Sequence, residues 1–143
     1  TEGSLWWYDP SSGLLQMVFN SGKNADRLVE HAEQPVNEGL IGMVFSTEQG
    51  FIENDVVANR QHSKHIDQDF AQTTLALLAV PFYIRGEKVG VVSCVKLDGS
   101  TNACPNRSEF VTSDLERIEL ASRAVGMLLE LRLLRLATGL EDN

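Results

Sequence analysis

The residues best suited to chemistry lie in one polar stretch, residues 58–74 (ANRQHSKHIDQDFAQTT). His62 and His65 are three positions apart, a spacing that places two imidazoles on one helical face, where they could bind a metal ion. Asp67 and Asp69 follow and offer carboxylate oxygens. No second cluster of this kind lies nearby in the sequence, so the pattern favours a solvated connection over a metal site.

The two cysteines are the other candidates for reactive groups. Cys94 falls in an apolar stretch that predicts a buried strand, and a buried thiol is usually inert. Cys104 falls in a loop, where a thiol could take part in redox chemistry. The sequence has no phosphate-binding glycine loop, no Ser-His-Asp spacing and no prominent carboxylate pair, so we expect a protein that is not an enzyme. The cysteine usage indicates reduced thiols and a cytoplasmic location.

Charge and length limit the class of protein. The 143 residues carry a net charge of −8, which disfavours nucleic acids and anionic membranes as partners. No apolar run approaches the ~20 residues needed to span a bilayer. A hydrophobic fraction of 43% supports a real core, and the length indicates one compact domain. The chain begins at Thr1 without a methionine and reads as a segment of a longer protein.

Two apolar stretches around residues 85–88 predict the hairpin on which the domain is organised. With Gly86 and Glu87 as its loop, Phe82 would face Val91. Both faces of this hairpin are apolar, so we expect it to be covered on both sides in a layered domain.

Shorter patterns predict the elements that precede this hairpin. They are a first hairpin of residues 4–8 and 14–20, a short helix within 23–31 and an edge strand over 51–57. Asn37 is placed to cap a further short helix that ends by Gly50. That helix contains Gly39 and Gly42, and glycines at this spacing indicate close approach of its backbone to the sheet or to a ligand.

A long helix is predicted from Ser113, with Glu116 completing a capping box, to the stop at Gly139. About 25 residues give a rod of roughly 37 Å, longer than one small sheet can cover. One apolar stripe is suited to cover the domain's own sheet: Ile118, Ala121, Val125 and Leu128. A second stripe has the heptad spacing of a helix partner: Leu120, Ala124, Met127, Leu131 and Leu134. We expect a homodimer through this second stripe; the alternative is packing on another helix of the same chain.

Four stretches, in this order and spacing, resemble the GAF domain family of small-molecule sensors. They are SLWWYDPSSGLLQMV, NEGLIGMVF, HIDQDFAQTTLALLAVPFYIRGEKVGVVSCVKL and FVTSDLERIELAS. The resemblance covers nearly the whole chain and implies an α+β fold. This fold has a central antiparallel β-sheet with helices on one face, a loop-covered pocket on the other, and a long C-terminal helix. We assign residues 1–128 to the sensory domain and residues 129–143 to a helical signalling and dimerisation linker.

The resemblance also implies a ligand pocket that mixes apolar walls with a few polar groups. The implied ligand-binding residues are Phe51, Asp55, Val57, His62, Asp67, Phe70, Thr73, Phe82 and Ser93. Asp67 is predicted to be the main polar anchor, although it could instead cap the turn that follows it. The sequence does not identify the ligand, and the alternative is a filled pocket that binds nothing.

The family's known cofactors match this sequence poorly. Cyclic-nucleotide-binding members carry an Asn-Lys after the last central strand and then Phe-x-x-x-Asp-Glu. Here residues 94–97 read CVKL, and Leu115 replaces that Glu. Bilin-binding members attach their chromophore through a cysteine that often precedes a histidine, whereas Gln61 precedes His62. We therefore expect neither a cyclic nucleotide nor a covalent bilin, and the histidines alone do not support haem.

These patterns predict a regulatory sensory module of a larger signal-transduction protein. It would bind an unknown small molecule and transmit its state through the C-terminal helix to a linked output domain of unknown type. The first alternative is a ligand-free dimerisation module. The second is a small redox enzyme like free methionine sulfoxide reductase, the family's enzymatic branch, which needs loop cysteines and finds only Cys104 here.

Overall fold

The computed structural model describes residues 1–60, 73–98 and 109–139. In chain order the elements are β1 (Glu2–Asp9), β2 (Leu14–Asn20), α1 (Ala25–His31), β3 (Glu33–Pro35), α2 (Gly39–Thr47), β4 (Phe51–Glu53), β5 (Thr74–Ile84), β6 (Glu87–Leu97) and α3 (Thr112–Thr138). The strands form one antiparallel sheet in the order β3-β2-β1-β6-β5-β4. This sheet and the long terminal helix confirm the predicted α+β fold.

The sheet carries a hydrophobic core on each face. On one face α1 and α2 pack over the sheet, and the core there includes Leu28, Val44 and Val91. On the other face α3 packs over β5, around Leu78 and Val80. We call these the α2 face and the α3 face. The central hairpin is thus covered on both sides, as predicted. The helices, however, are divided between the two faces rather than confined to one, because β5 is apolar on both.

The central hairpin turns one residue earlier than predicted. Arg85 and Gly86 occupy the loop with φ values of 53° and 77°, and Ile84 pairs with Glu87. The prediction that Gly86 and Glu87 form the loop is therefore wrong. A two-residue hairpin loop with positive φ at both positions favours glycine at the second, and that preference places the turn here.

The observed register places Phe82 and Val91, which were predicted to face each other, on opposite faces of the sheet. The register is also irregular after Phe82. Phe82 pairs with Gly90 rather than with Val91. Phe82 lies on the α3 face, and Val91 belongs to the core of the α2 face. A Cβ atom at Gly90 would collide with the Trp6 carbonyl oxygen, so this position needs glycine.

The first hairpin, the short helix α1 and the edge strand β4 are confirmed, although β4 is shorter than predicted. The strand β3 was not predicted, because three residues that include Pro35 carry no strand periodicity. The helix α2 begins after Glu38 rather than after Asn37. The helix α3 begins after Val111, whose N–H donates to Asp114 Oδ2 at 3.0 Å, so the predicted pairing of Ser113 with Glu116 is wrong.

The helix α3 contacts the sheet through a different stripe from the one predicted. Ser122 and Gly126 are its buried residues, and Leu115 and Ile118 pack against the core of the α3 face. The remainder of the predicted stripe is exposed: Ala121, Val125 and Leu128. The prediction relied on hydrophobicity alone and was wrong because α3 approaches the sheet most closely through its small residues, Ser122 and Gly126. Gly139 ends the helix with a φ of 68°, as predicted.

Gly42 lies where α2 approaches the backbone that follows β3. A Cβ atom there would lie 2.8 Å from the Val36 carbonyl oxygen and 3.0 Å from that of Pro35, which confirms the predicted close approach. We expect Gly42→Ala to lower the free energy of unfolding by about 1–3 kcal/mol, despite the greater helix propensity of alanine. Urea denaturation followed by circular dichroism measures this, and an unchanged midpoint would contradict it.

Candidate functional site

A row of polar residues crosses the centre of the α2 face, inside an otherwise apolar core. Across the strands, Phe51 pairs with Ala79, Ala79 with Ser93, Ser93 with Ser4, and Ser4 with Asn20. The three polar residues of this row, Ser93, Ser4 and Asn20, are buried. Two predicted ligand residues, Phe51 and Ser93, therefore belong to one row, separated by the small side chain of Ala79.

Hydrogen bonds organise the polar end of this row. Trp6 Nε1 donates to Ser93 Oγ at 3.1 Å, and Asn20 Nδ2 donates to Ser4 Oγ at 3.0 Å. The Gly22 backbone N–H donates to Asn20 Oδ1 at 2.7 Å. Buried polar groups in a low-dielectric core are costly unless paired, so these bonds fix the side chains in place.

Sequence reasoning missed Ser4, Trp6 and Asn20 as site residues. The available signal was a small polar residue on the inward-facing register of an otherwise apolar strand. Reading that signal required the β1–β6 register, which pairs Ser4 with Ser93. A long-range pairing of this kind does not follow from local patterns.

Phe82 does not share the row with Phe51 and Ser93. Its side chain is fully buried on the α3 face, where its ring centroid lies 6.5 Å from that of Trp7. A Cβ atom at Gly126 would lie 3.7 Å from Phe82 Cε2. The predicted grouping of Phe82 with the other two residues is therefore wrong, because the hairpin register differs from the one assumed.

The segment after β4 inserts Val56, rather than the predicted Val57, into the core of the α2 face. Asp55 and Val57 on either side are exposed. Glu53 holds this turn, since its Oε1 accepts from the Asp55 N–H at 2.9 Å and its Oε2 from Asn59 Nδ2 at 2.6 Å. Those two hydrogen bonds lower the pKa of the Glu53 carboxyl.

The polar connection between β4 and β5 leaves the sheet and rejoins it at neighbouring positions, which two backbone hydrogen bonds define. The Val56 N–H donates to the Leu75 carbonyl oxygen at 3.1 Å, and the Asp98 N–H donates to that of Thr73 at 2.9 Å. Thr73, another predicted ligand residue, is exposed at this return point. The predicted residues His62, Asp67 and Phe70 lie outside the described parts of the chain, so their roles stay predictions.

A polar network joins the end of α2 to the central hairpin. Tyr83 Oη donates to Glu48 Oε2 at 2.7 Å, and Lys88 Nζ lies 3.4 Å from Glu48 Oε1. Lys88 Nζ also donates to the Phe45 carbonyl oxygen at 2.7 Å and sits 4.3 Å from the centroid of the Phe45 ring. Hydrogen bonds from Tyr83 and Lys88 lower the pKa of Glu48, while burial, with the bond to Glu48, raises the pKa of Tyr83 to about 12.

A groove of about 510 Å³ lies on the α3 face, between α3 and the tip of the central hairpin. Glu48, Tyr83 and Arg85 line one side, and Ser122 and Gly126 are among the residues of α3 that line the other. This groove is separate from the polar row, since the sheet lies between them.

Cys94 is half-buried on the α3 face. Burial raises the pKa of its thiol, which keeps it protonated and poorly reactive at neutral pH. Cys104 lies outside the described residues. Within the described residues, no group of three or more His, Cys, Asp or Glu side chains is placed to hold a metal ion.

The residues of the predicted dimer stripe all lie on the solvent side of α3. Leu120 and Met127 are 70% and 71% exposed, and Leu131 and Leu134 are 48% and 46% exposed. Ala124 is exposed as well. None of the helices in the described parts of the chain is long and apolar enough to cross a bilayer.

An antiparallel sheet with a two-sided central hairpin and a long terminal helix defines the class of domain. The family model described as "GAF domain" matches residues 2–130. The chain belongs to the GAF domain family. A comparison with curated protein sequences gave no significant match.

Solved structures of other proteins share this fold at low sequence identity. The GAF domain of a phosphoenolpyruvate-protein phosphotransferase from Coxiella burnetii is 18% identical, with a TM-score of 0.75 over 98% of this chain and 76% of that one. Residues 122 to 287 of a methyl-accepting chemotaxis protein are 22% identical, with a TM-score of 0.66 over 94% and 80% of the two chains.

An enzyme also appears among these structures. Free methionine-R-sulfoxide reductase from Neisseria meningitidis, solved with its substrate, is 15% identical, with a TM-score of 0.67 over 88% of this chain and 65% of that one. At these identities the likeness establishes the fold that the chains share.

Proposed function

We propose that this GAF domain is a regulatory sensory module of a larger cytoplasmic signalling protein and binds a small molecule over the α2 face. The observation that carries the proposal is the buried polar row, Ser4, Asn20 and Ser93, at the centre of that face. Ligand sites combine apolar walls with a few fixed polar groups, as this row and its surroundings do. The neighbours from a chemotaxis protein and a phosphotransferase support a place in signalling.

The row favours a ligand recognised through neutral hydrogen bonds. Among the described residues, the buried polar side chains are hydroxyls and amides. Any charge on the ligand would therefore be matched by the connection, where Asp67 is our proposed anchor, together with the other predicted contacts His62 and Phe70. A regulatory role is favoured over a redox one because Cys94 lies on the opposite face with a raised thiol pKa.

The test is the mass that the purified protein retains. We expect native mass spectrometry to show a small molecule that denaturing conditions release. Asp67→Ala should abolish the retained mass with little change in melting temperature, because an anchor contributes to binding rather than to folding. Glu116→Ala, which removes an exposed carboxylate from α3 on the opposite face of the sheet, is the matched control and should retain the molecule.

Two outcomes would separate this proposal from its alternatives. If Asp67→Ala unfolds the protein and leaves ligand affinity unchanged, Asp67 is a capping residue. If the unmodified protein retains no mass, the ligand-free dimerisation module is the better reading.

A second candidate function, dimerisation, is favoured by the exposed stripe of α3. Contiguous exposed apolar surface of this kind is unusual on a soluble monomer and typical of an interface. We propose a homodimer in which two α3 helices pair, and we retain residues 129–143 as the linker to an output domain. The helix crosses from residue 128 to 129 without a break, so a movement at the sheet would reach the linker directly.

A further inference from the structure

We propose that Tyr83 is the mechanical link through which a displacement of α2 reaches α3. The sheet lies between most of these two helices, and Tyr83 touches the end of α2 with its side chain and α3 with its backbone. The segment after α2 also approaches α3 at Gly50, where a Cβ atom would lie 3.1 Å from Glu119 Oε1, but that contact does not involve the body of α2. The inference concerns how the fold transmits movement, and it rests on the proposed function only for the use that signalling makes of this movement.

The contact with α2 is made at the C-terminal end of the helix. Glu48 ends α2 in the left-handed region, with a φ of 58°, and its N–H bonds the Val44 carbonyl oxygen. Its carboxylate accepts the Tyr83 hydroxyl at 2.7 Å. Because Val44 and its neighbours are buried over the polar row's face, a shift of α2 on that face moves the group that holds Tyr83.

The contact with α3 is made at Gly126, one of the two buried residues of that helix. A Cβ atom at Gly126 would collide with the Tyr83 carbonyl oxygen, so the two backbones lie in direct contact. The irregularity between Phe82 and Tyr83 interrupts the β5–β6 register at this same residue. Register irregularities bend a strand locally, which lets Tyr83 move without shifting the whole ladder.

The surroundings of Tyr83 leave room for α3 to respond. The groove of about 510 Å³ begins at Glu48 and Tyr83 and runs beside α3. The close-packed contact between Tyr83 and Gly126 would transmit a displacement to α3. The open groove on the other side of Tyr83 leaves space for α3 to move. Lys88 supports the same junction by holding both Glu48 and the Phe45 carbonyl oxygen.

The experiment perturbs α2 and reads α3, using hydrogen exchange by mass spectrometry on the full 143-residue chain. Val44→Ala opens a cavity under α2. In the otherwise unmodified chain we expect it to raise exchange at residues 119–130 of α3 by about three- to tenfold. Combined with Tyr83→Phe, which removes the hydroxyl and keeps the carbonyl contact, the same change should raise it by less than about twofold.

Tyr8→Phe is the matched control. Tyr8 also packs on the end of α2, with its ring centroid 4.8 Å from that of Phe45, but its hydroxyl makes no hydrogen bond with the described residues. In the Tyr8→Phe background the response of α3 should persist in full. If Val44→Ala does not fold, Ile41→Val perturbs the same helix more mildly.

Three results would overturn the inference: no response of α3 to the change in α2, a response that survives Tyr83→Phe, or an equal rise throughout β1 and β2. The last would mean that the whole domain opens together. The experiment uses no ligand, so the absence of a retained molecule would contradict the proposed function and leave this inference standing.

Discussion

Replacing Gly126 by alanine is expected to lower the free energy of unfolding by about 2 kcal/mol, because the new Cβ atom meets the Tyr83 carbonyl oxygen. Helix propensity acts in the opposite direction, since alanine is favoured over glycine by about 1 kcal/mol in a helix interior. The sign of the change therefore separates the two effects. Chemical denaturation monitored by circular dichroism gives the measurement.

Ala121→Gly provides the control for this experiment. Ala121 lies five residues away on the same helix, is exposed and falls outside the proposed dimer stripe, so its replacement should cost about 1 kcal/mol through propensity alone. A Gly126→Ala protein more stable than the unmodified one would show that α3 does not rest on Tyr83. It would also remove the contact on which the proposed coupling depends.

Introducing charge into the exposed stripe of α3, with Leu131→Glu and Leu134→Glu together, is expected to convert a dimer into a folded monomer. Two carboxylates without partners would be buried in the helix pair. Each should cost more than the about 1.4 kcal/mol that weakens association tenfold, so we expect a loss of at least about 100-fold in affinity. Sedimentation velocity over a concentration series measures the change.

Leu133→Glu with Leu136→Glu is the matched control for the dimer. These leucines lie on the same turns and are 52% and 49% exposed, close to the exposure of the tested pair, but they fall outside the heptad stripe. The control protein should remain a dimer. An unmodified chain that sediments as a monomer at high micromolar concentration would contradict the dimer for residues 1–143.

The sequence was sufficient to predict elements whose signal is local and repeated. Turn residues between β1 and β2, apolar strands around the central loop and the stop at Gly139 all carry such signals, and the structure confirms them. The register of the central hairpin was wrong because Arg85 adopts a positive φ, which is unusual for a residue with a Cβ atom. That single shift moved Phe82 to the face opposite the one predicted.

The candidate site was predicted less completely because it depends on long-range pairing. The predicted residues Phe51 and Ser93 lie in the row, whereas Ser4, Trp6 and Asn20 joined the candidate site only when the sheet brought β1 and β2 beside β6. The prediction of which stripe of α3 packs on the sheet was wrong for a related reason. A hydrophobic pattern selects large side chains, but the contact with Tyr83 requires Gly126, which no hydrophobic pattern would choose.

The hydrogen bonds that close the connection have a consequence for how the family can diversify. Val56 is bonded to Leu75, and Thr73 to Asp98, so the chain leaves the sheet and rejoins it at one fixed base. The entropic free-energy cost of closing a flexible loop rises slowly with loop length, by only about 0.6 kcal/mol for each doubling. Residues beyond this base can therefore be exchanged, lengthened or shortened during evolution at little cost to the sheet and α3. Under the proposed function, such changes would alter ligand specificity without altering the rest of the domain.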